Sequence, residues 1–336
     1  LTAGEKLPST RELALMLKIS RNTIIYTYDF LQDEGLIYIK RGRGAFVSDV
    51  KVDFQKKWDI NWDERINNYA REAEKLDIIK SEIKWEKGMI SFKSIAPDDK
   101  LFDVENFKKS FLNCISREGG KILNYGYAQG YKPLIEYLLK YMGNKGVDTS
   151  GKDILITNGF TEGFDLILSC LTNEGDKVIC ENPTHNTAIK IMRLHKLNIT
   201  GIDMESTGIN LNDLSQKLDR DKFKLSYFIP SYHNPTGIVM SPKKRTELYN
   251  ILRKHNVPIV EDGFNEELRY LSDHVSPIAA LSGSGNSVLY IGSFSKILFP
   301  GLRIGWILAD KNLIGYLESA KRSRNIHTSF LDQAVF

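Results

Sequence analysis

Cysteine is scarce in this 336-residue chain. The three present, Cys114, Cys170 and Cys180, are odd in number, form no CxxC pair and lie among apolar neighbours. That excludes a disulfide framework and leaves free thiols in a reducing cytoplasm as the expectation, with no metal site. Long apolar runs are also missing. Nothing approaches the length of a membrane span or has the form of a signal peptide, so no membrane partner is expected. Charge of one sign is scarce too: the net charge is +4, which permits nucleic-acid binding without arguing for it. Residues 51–87 contain neither glycine nor proline. The chain begins at Leu1 rather than methionine and stops at Phe336 inside an apolar segment, so further chain is expected at both ends.

What is present is enough to fold. Apolar residues make up 42% of the chain, and the length suggests two or three domains. In the first fifty residues, Ser9-Thr10-Arg11-Glu12 is a capping box that predicts a helix with Leu13, Ala14 and Leu17 on its apolar face. Lys18-Ile19-Ser20 is a short turn. Ser20 and Thr23 open a second helix that runs to about Glu34 and stops at Gly35. Two helices joined this closely make a helix-turn-helix. Residues 36–40 and 45–48 are two predicted strands around Arg41-Gly42-Arg43-Gly44, a basic hairpin tip. Net charge here is only about +1, from seven Lys/Arg against six Asp/Glu. Placement matters more: Arg11, Arg21, Lys40, Arg41 and Arg43 fall at helix starts or on the hairpin, where arginines suit phosphates and base edges.

LPSTREL, then SRNT, then EGLIYIKRGRGAFV, resembles the winged-helix domain of GntR-family transcription regulators. The resemblance implies binding to a double-stranded DNA operator through Arg11, Arg21, Asn22, Thr23, Arg41, Gly42 and Arg43. It also implies a helix ahead of Leu1. A winged helix that serves only protein contacts is the plainer alternative.

Residues 51–88 form a charged connector, with helical apolar spacing over 63–83. Beyond it, strands are predicted at 153–157, 177–180, 225–229, 258–261, 288–291 and 304–308. Helical segments lie between several of them, such as 160–171 and 242–255. This alternation predicts a mostly parallel sheet covered by helices, with ligands beyond the carboxyl ends of the strands.

Four loops at that edge carry candidate chemistry. Gly159-Phe160-Thr161 opens a helix and offers backbone N–H groups to an anion, or is an ordinary strand-to-helix turn. Ser231-Tyr232-His233-Asn234-Pro235-Thr236-Gly237 is a turn whose amide could hold a ligand oxygen. Asp262 follows a strand, where a carboxylate can pair with a protonated pyridine nitrogen or cap a helix. In Gly292-Ser293-Phe294-Ser295-Lys296, followed by Arg303, the lysine can supply a Schiff-base amine, and the hydroxyls and guanidinium can hold a phosphate.

In this order and spacing, the loops from about residue 90 onward resemble fold-type I PLP-dependent aminotransferases. A GntR winged helix joined to such a domain resembles the MocR subfamily of regulators. The fold implied is multidomain: a small α/β winged helix-turn-helix at 1–50, a linker at 51–88 and an α/β PLP-dependent transferase domain at 89–336. The cofactor implied is pyridoxal 5'-phosphate. Lys296 would form the Schiff base and Asp262 would pair with the ring nitrogen. Asn234 would bond the phenolic oxygen. Gly159, Phe160, Thr161, Ser293, Ser295 and Arg303 would hold the phosphate, and His185 would stack on the ring. Tyr125 matches a tyrosine that reaches the partner subunit's phosphate, which implies a homodimer with shared sites.

Three positions depart from the aminotransferase pattern. Phe264 stands where a tyrosine usually bonds the phenolic oxygen. His185 stands where another aromatic is usual. The arginine that binds a substrate carboxylate lies in a C-terminal subdomain this chain does not reach, and Arg322 and Arg324 do not replace it. Three readings follow. The first is a regulator sensing an amine or amino-acid effector through Lys296, without efficient turnover. The second is a working aminotransferase with a DNA-binding appendage. The third is a DNA-binding dimer whose large domain only dimerises, although scaffolding needs none of Lys296, Asp262, Asn234 and Arg303.

Overall fold

The structure is a computed structural model and describes residues 1–49, 59–77, 86–90, 97–263, 266–271 and 273–336. Phe264 and part of the connector lie outside the described residues. The chain divides into two compact units, Leu1–Ile66 and Asn67–Phe336.

In the first unit, α1 (Thr10–Leu17) starts on the capping box: Ser9 accepts from the Glu12 N–H, and Glu12 accepts from the Ser9 N–H at 2.7 Å. After a left-handed Lys18, α2 (Arg21–Asp33) starts where Ser20 Oγ accepts from the Asn22 and Thr23 amides. Strands β1 (Ile37–Lys40) and β2 (Gly44–Val47) pair antiparallel around the basic tip. The core is Ala14, Ile24, Tyr28, Ile37 and Ala45. Leu17, expected on the buried face of α1, is 56% exposed, and Leu13 and Ala14 carry the packing instead. The connector helix is shorter than its periodicity suggested. A single turn at Trp62–Glu64 precedes α3 (Asn68–Lys75), with a break at 65–67, and 78–83 lie outside the described residues.

The second unit continues with α4 (Val104–Glu118) and α5 (Lys132–Asn144), then alternates: β3 (Lys152–Thr157), α6 (Gly159–Leu171), β4 (Lys177–Asn182), α7 (Asn186–Leu194), β5 (Asn198–Glu205). It goes on through β6 (Gly208–Ile209), α8 (Leu211–Arg220), β7 (Leu225–Phe228), α9 (Pro242–Lys254), β8 (Ile259–Asp262), α10 (Ile278–Leu281) and β9 (Val288–Ser293). The last elements are β10 (Gly305–Asp310), α11 (Lys311–Arg322) and α12 (Phe330–Val335). Among the described residues, eight of these strands form one sheet in the order β3-β10-β9-β8-β7-β4-β5-β6. From β9 to β5 neighbours run parallel; β10 is antiparallel to both β9 and β3, and β6 to β5. The sheet is mostly parallel, as expected.

The strands are near-continuous apolar runs because both faces are covered. Side chains alternate between two cores: Ile154, Ile156, Trp306 and Leu308 pack on one face with α5, α8 and α9. Leu155, Ile307 and Ala309 pack on the other with α6, α7 and α11. The three cysteines are free, with Cys114 and Cys180 buried. No helix among the described residues is long and apolar enough to cross a membrane.

Candidate cofactor and DNA sites

The reversed strand β10 assembles the first site. Its first residue, Gly305, lies opposite Ser293 at the end of β9 and opposite Thr157 at the end of β3. Three loops distant in sequence, at 158–161, 293–296 and around Arg303, therefore meet at one sheet edge. The approach is close enough to demand glycine: a Cβ on Gly305 would lie 2.7 Å from the Gly159 Cα. Gly159 itself has φ +78, and a Cβ there would lie 2.6 Å from Arg303 Nη2. Arg303 Nη2 donates to the Asn158 carbonyl at 3.3 Å. The helix α6 that starts here has no side-chain cap, so its N-terminal amides and the Arg303 guanidinium form one electropositive cradle. Ser293 and Ser295 lie beside it, their hydroxyls 3.0 Å apart. Thr161 is exposed and lines a cavity of about 530 Å³ between α3, α6 and α7.

Lys296 is half-buried three residues beyond β9. Burial first, and the Arg303 charge second, lower its pKa from the usual lysine value, which favours the neutral, nucleophilic amine. Asp262 ends β8 and is buried. Its Oδ2 accepts from the buried Tyr227 hydroxyl at 2.8 Å. Tyr227 packs against Phe164, ring centroids 4.9 Å apart, and Phe160 bridges from it to His185 at 5.2 Å. Burial, with a smaller effect of Lys296, pushes the His185 imidazole down to about 4, so it is an uncharged ring at neutral pH and can stack.

Asn234 sits on a loop held from beneath. Buried Glu181 accepts from the Ile229 N–H at 3.1 Å, and its Oε2 is 3.4 Å from Nε2 of buried His233. His233 Nδ1 meets Thr236 Oγ1 at 2.8 Å. Buried Arg245 donates to the Pro230 carbonyl at 3.0 Å and to Ser231 Oγ at 2.8 Å. The sequence reading missed Tyr227, Glu181, His233 and Arg245. Glu181, after the apolar run 178–180, was the one of these that the sequence could have signalled; Arg245 stands among polar neighbours and Tyr227 among strand-forming ones. Tyr125 is 78% exposed, its ring beside His327 at 6.1 Å, and it meets none of the other candidates within the chain.

On the first unit, Arg11, Arg21, Asn22, Thr23, Arg41, Gly42 and Arg43 are all exposed. Arg21 Nε reaches Thr10 Oγ1 at 3.5 Å, which links the starts of α1 and α2. Behind the wing tip, Lys40 Nζ lies over the Tyr38 and Phe46 rings at 5.3 and 5.5 Å.

An electropositive cradle, a buried carboxylate and a half-buried lysine on a three-layer α/β/α domain define an aminotransferase-type transferase domain behind a winged helix. Residues 88–336 match the family model described as aminotransferase class I and II, and residues 1–47 match bacterial regulatory proteins of the gntR family. The chain belongs to the aminotransferase class I and II family and carries its gntR domain in front, the arrangement of MocR-type regulators. It is 29% identical over 336 residues to the HTH-type transcriptional regulator YdfD of Bacillus subtilis, covering 99% of this chain and 69% of that one. It is 33% identical over 253 residues to aromatic-amino-acid aminotransferase 1 of Thermococcus litoralis, covering 74% of this chain and 60% of that enzyme. Among solved structures it is similar to a multiple substrate aminotransferase from Thermococcus profundus, at 30% identity and a TM-score of 0.75. That match covers 82% of this chain and 70% of that one. The chain thus spans less than two thirds of the Thermococcus litoralis enzyme.

Proposed function

We propose that this protein is a cytoplasmic transcription regulator that binds operator DNA through its winged helix and holds pyridoxal 5'-phosphate on Lys296. An amine or amino-acid effector reacting at that position changes operator binding or activation. The observation that carries the reading is a half-buried lysine of lowered pKa beside the Arg303 cradle, in a chain that also bears a gntR domain. The donor set fits the cofactor: the cradle at Gly159 and Arg303 suits a phosphate, and buried Asp262 suits a protonated pyridine nitrogen. When bound, the cofactor supplies a carbonyl carbon and an electron-withdrawing ring.

The chain's own residues do the rest. Lys296 offers the amine, which burial and the Arg303 charge make easier to deprotonate. Tyr227 fixes the Asp262 carboxylate, and the uncharged His185 gives an aromatic face. Glu181, His233 and Arg245 hold the loop that bears Asn234. To regulate, an effector must bind the two arrangements of the protein with different affinity. Exposed Tyr125 is the residue that would reach the phosphate in the partner of a homodimer. The second reading, a working aminotransferase, draws support from the 33% identity to the Thermococcus litoralis enzyme.

Borohydride reduction followed by mass measurement is the direct test. The protein should retain a reduced cofactor adduct on Lys296, and Lys296→Ala should lose it; retention in the variant would sink the assignment. Sustained keto acid formation from amino acids would move the protein to the second reading.

A further inference from the structure

Glu181, next to last in β4, is buried. Both its carboxylate oxygens are 3.1 Å from the Ile229 N–H, where the chain leaves β7. Oε2 has two further neighbours, on different loops. His233 Nε2 stands 3.4 Å from it, and the Thr184 hydroxyl donates to it at 3.5 Å. Thr184 immediately precedes His185, the N-cap of α7. Buried His233 immediately precedes Asn234 and closes the turn that carries it. Its N–H donates to the Ile238 carbonyl at 2.9 Å, its carbonyl accepts from the Gly237 N–H at 2.6 Å, and its Nδ1 meets Thr236 Oγ1. One buried oxygen therefore stands between the two loops whose side chains, His185 and Asn234, are assigned to the face and the phenolic edge of one ring. An apolar side chain at the end of this strand would avoid the cost of desolvating a carboxylate. It could not fix the spacing of two loops through polar contacts.

We propose that Glu181 is a positioning residue shared by the two loops, and that it sets the His185 ring and the Asn234 amide relative to each other around the bound cofactor. This rests on both residues facing a cofactor held on Lys296. Glu181 acts through its neighbours, with Thr184 on one side and His233 on the other. The Asn234 amide donates to the phenolic oxygen only while its turn stays in place. That donor favours the ionised form of the oxygen, so losing it makes the cofactor titrate at higher pH. His185 stays against the ring only while the start of α7 is held.

The experiment uses the full chain loaded with pyridoxal 5'-phosphate. Borohydride reduction of one aliquot first reports whether the cofactor is attached to Lys296. Two readouts are then followed in each variant. The pH midpoint of the visible absorption change reports the donor at the phenolic oxygen, and the visible circular dichroism of the same band reports the contacts on the ring face. Glu181→Ala should raise the midpoint by roughly half to one pH unit, the shift that corresponds to one lost hydrogen bond, and should also weaken the dichroism. Thr184→Val, at a half-buried position, should weaken the dichroism and keep the midpoint. Thr236→Val, at an exposed position, should raise the midpoint and keep the dichroism. These two variants carry the test should Glu181→Ala not fold. A folded Glu181→Ala protein that moves neither readout or only one, or threonine variants that leave both unchanged, overturns the shared role of Glu181 alone. Absence of any Lys296 adduct in the unaltered protein overturns the cofactor reading together with it.

Discussion

Tyr227 and Asp262 sit on neighbouring strands, and their side chains meet at 2.8 Å with both residues buried. A buried carboxylate depends on such donors, because losing one leaves charge without solvent or partner. Tyr227→Phe keeps the ring packed on Phe164 but removes the hydroxyl. It should destabilise the protein by about 1–3 kcal/mol, measured by chemical denaturation. An unchanged midpoint would mean that the hydroxyl does not hold Asp262. Asp262 was legible in the sequence because a carboxylate closing an apolar strand has no packing reason to be there. Tyr227 was not, because a tyrosine inside Leu225–Phe228 passes for one more strand-forming aromatic. The same holds for Glu181 and His233, 52 positions apart (233 minus 181), whose 3.4 Å approach becomes visible only once β4 and β7 are known to be neighbours.

Among elements, those with sharp punctuation were read well. The capping box set α1, Ser20 set α2, and glycine or asparagine turns set the strand ends before the candidate loops. β5 was missed because its burial is mixed rather than alternating or continuous, and β6 has two residues, too few for a period. The connector is helical in part, over Asn68–Lys75, and its apolar spacing over 63–83 does not reveal the break at 65–67. On the winged unit, the start of α2 presents Arg21 to solvent and the wing presents Arg43. Arg21→Ala should weaken operator binding by about 1–3 kcal/mol in fluorescence anisotropy titrations if it reads a base edge. Arg43→Ala should weaken all sequences alike and reduce the salt slope of log Kd by about one, the mark of a lost phosphate contact. Unchanged affinity in both variants would place the DNA face elsewhere.

At the scale of the whole molecule, stability should carry the signature of one buried amine. Lys321 on α11 is fully buried and donates to the carbonyls of Ala128 at 2.9 Å and Ile156 at 2.7 Å. Burial holds its pKa down at about 8, against 10.5 for a free lysine. A neutral amine keeps two N–H groups, so both bonds survive loss of the proton. Between pH 8 and 10.5 the unfolded chain binds the proton that the folded chain has released, so this group makes stability rise with pH across that window. Comparing denaturation of the protein with that of Lys321→Met at pH 7, 8, 9 and 10 isolates the effect. The difference between the two should change steadily from pH 8 upward, and a constant difference would mean that the amine titrates normally.

The strand β3 pairs only with β10 among the described residues, and the partners Thr157 and Gly305 are 148 positions apart (305 minus 157). Contacts of such long sequence separation form late, because the loop entropy is lost before they repay it. During synthesis, β3 therefore waits at an unfinished edge until β10 has emerged, and the Gly159–Arg303 cradle cannot exist before then. A ligand that needs the cradle binds only molecules in which β10 has paired with β3 and draws them out of the folding pool by mass action. The supply of such a ligand would in this way set how much folded protein accumulates.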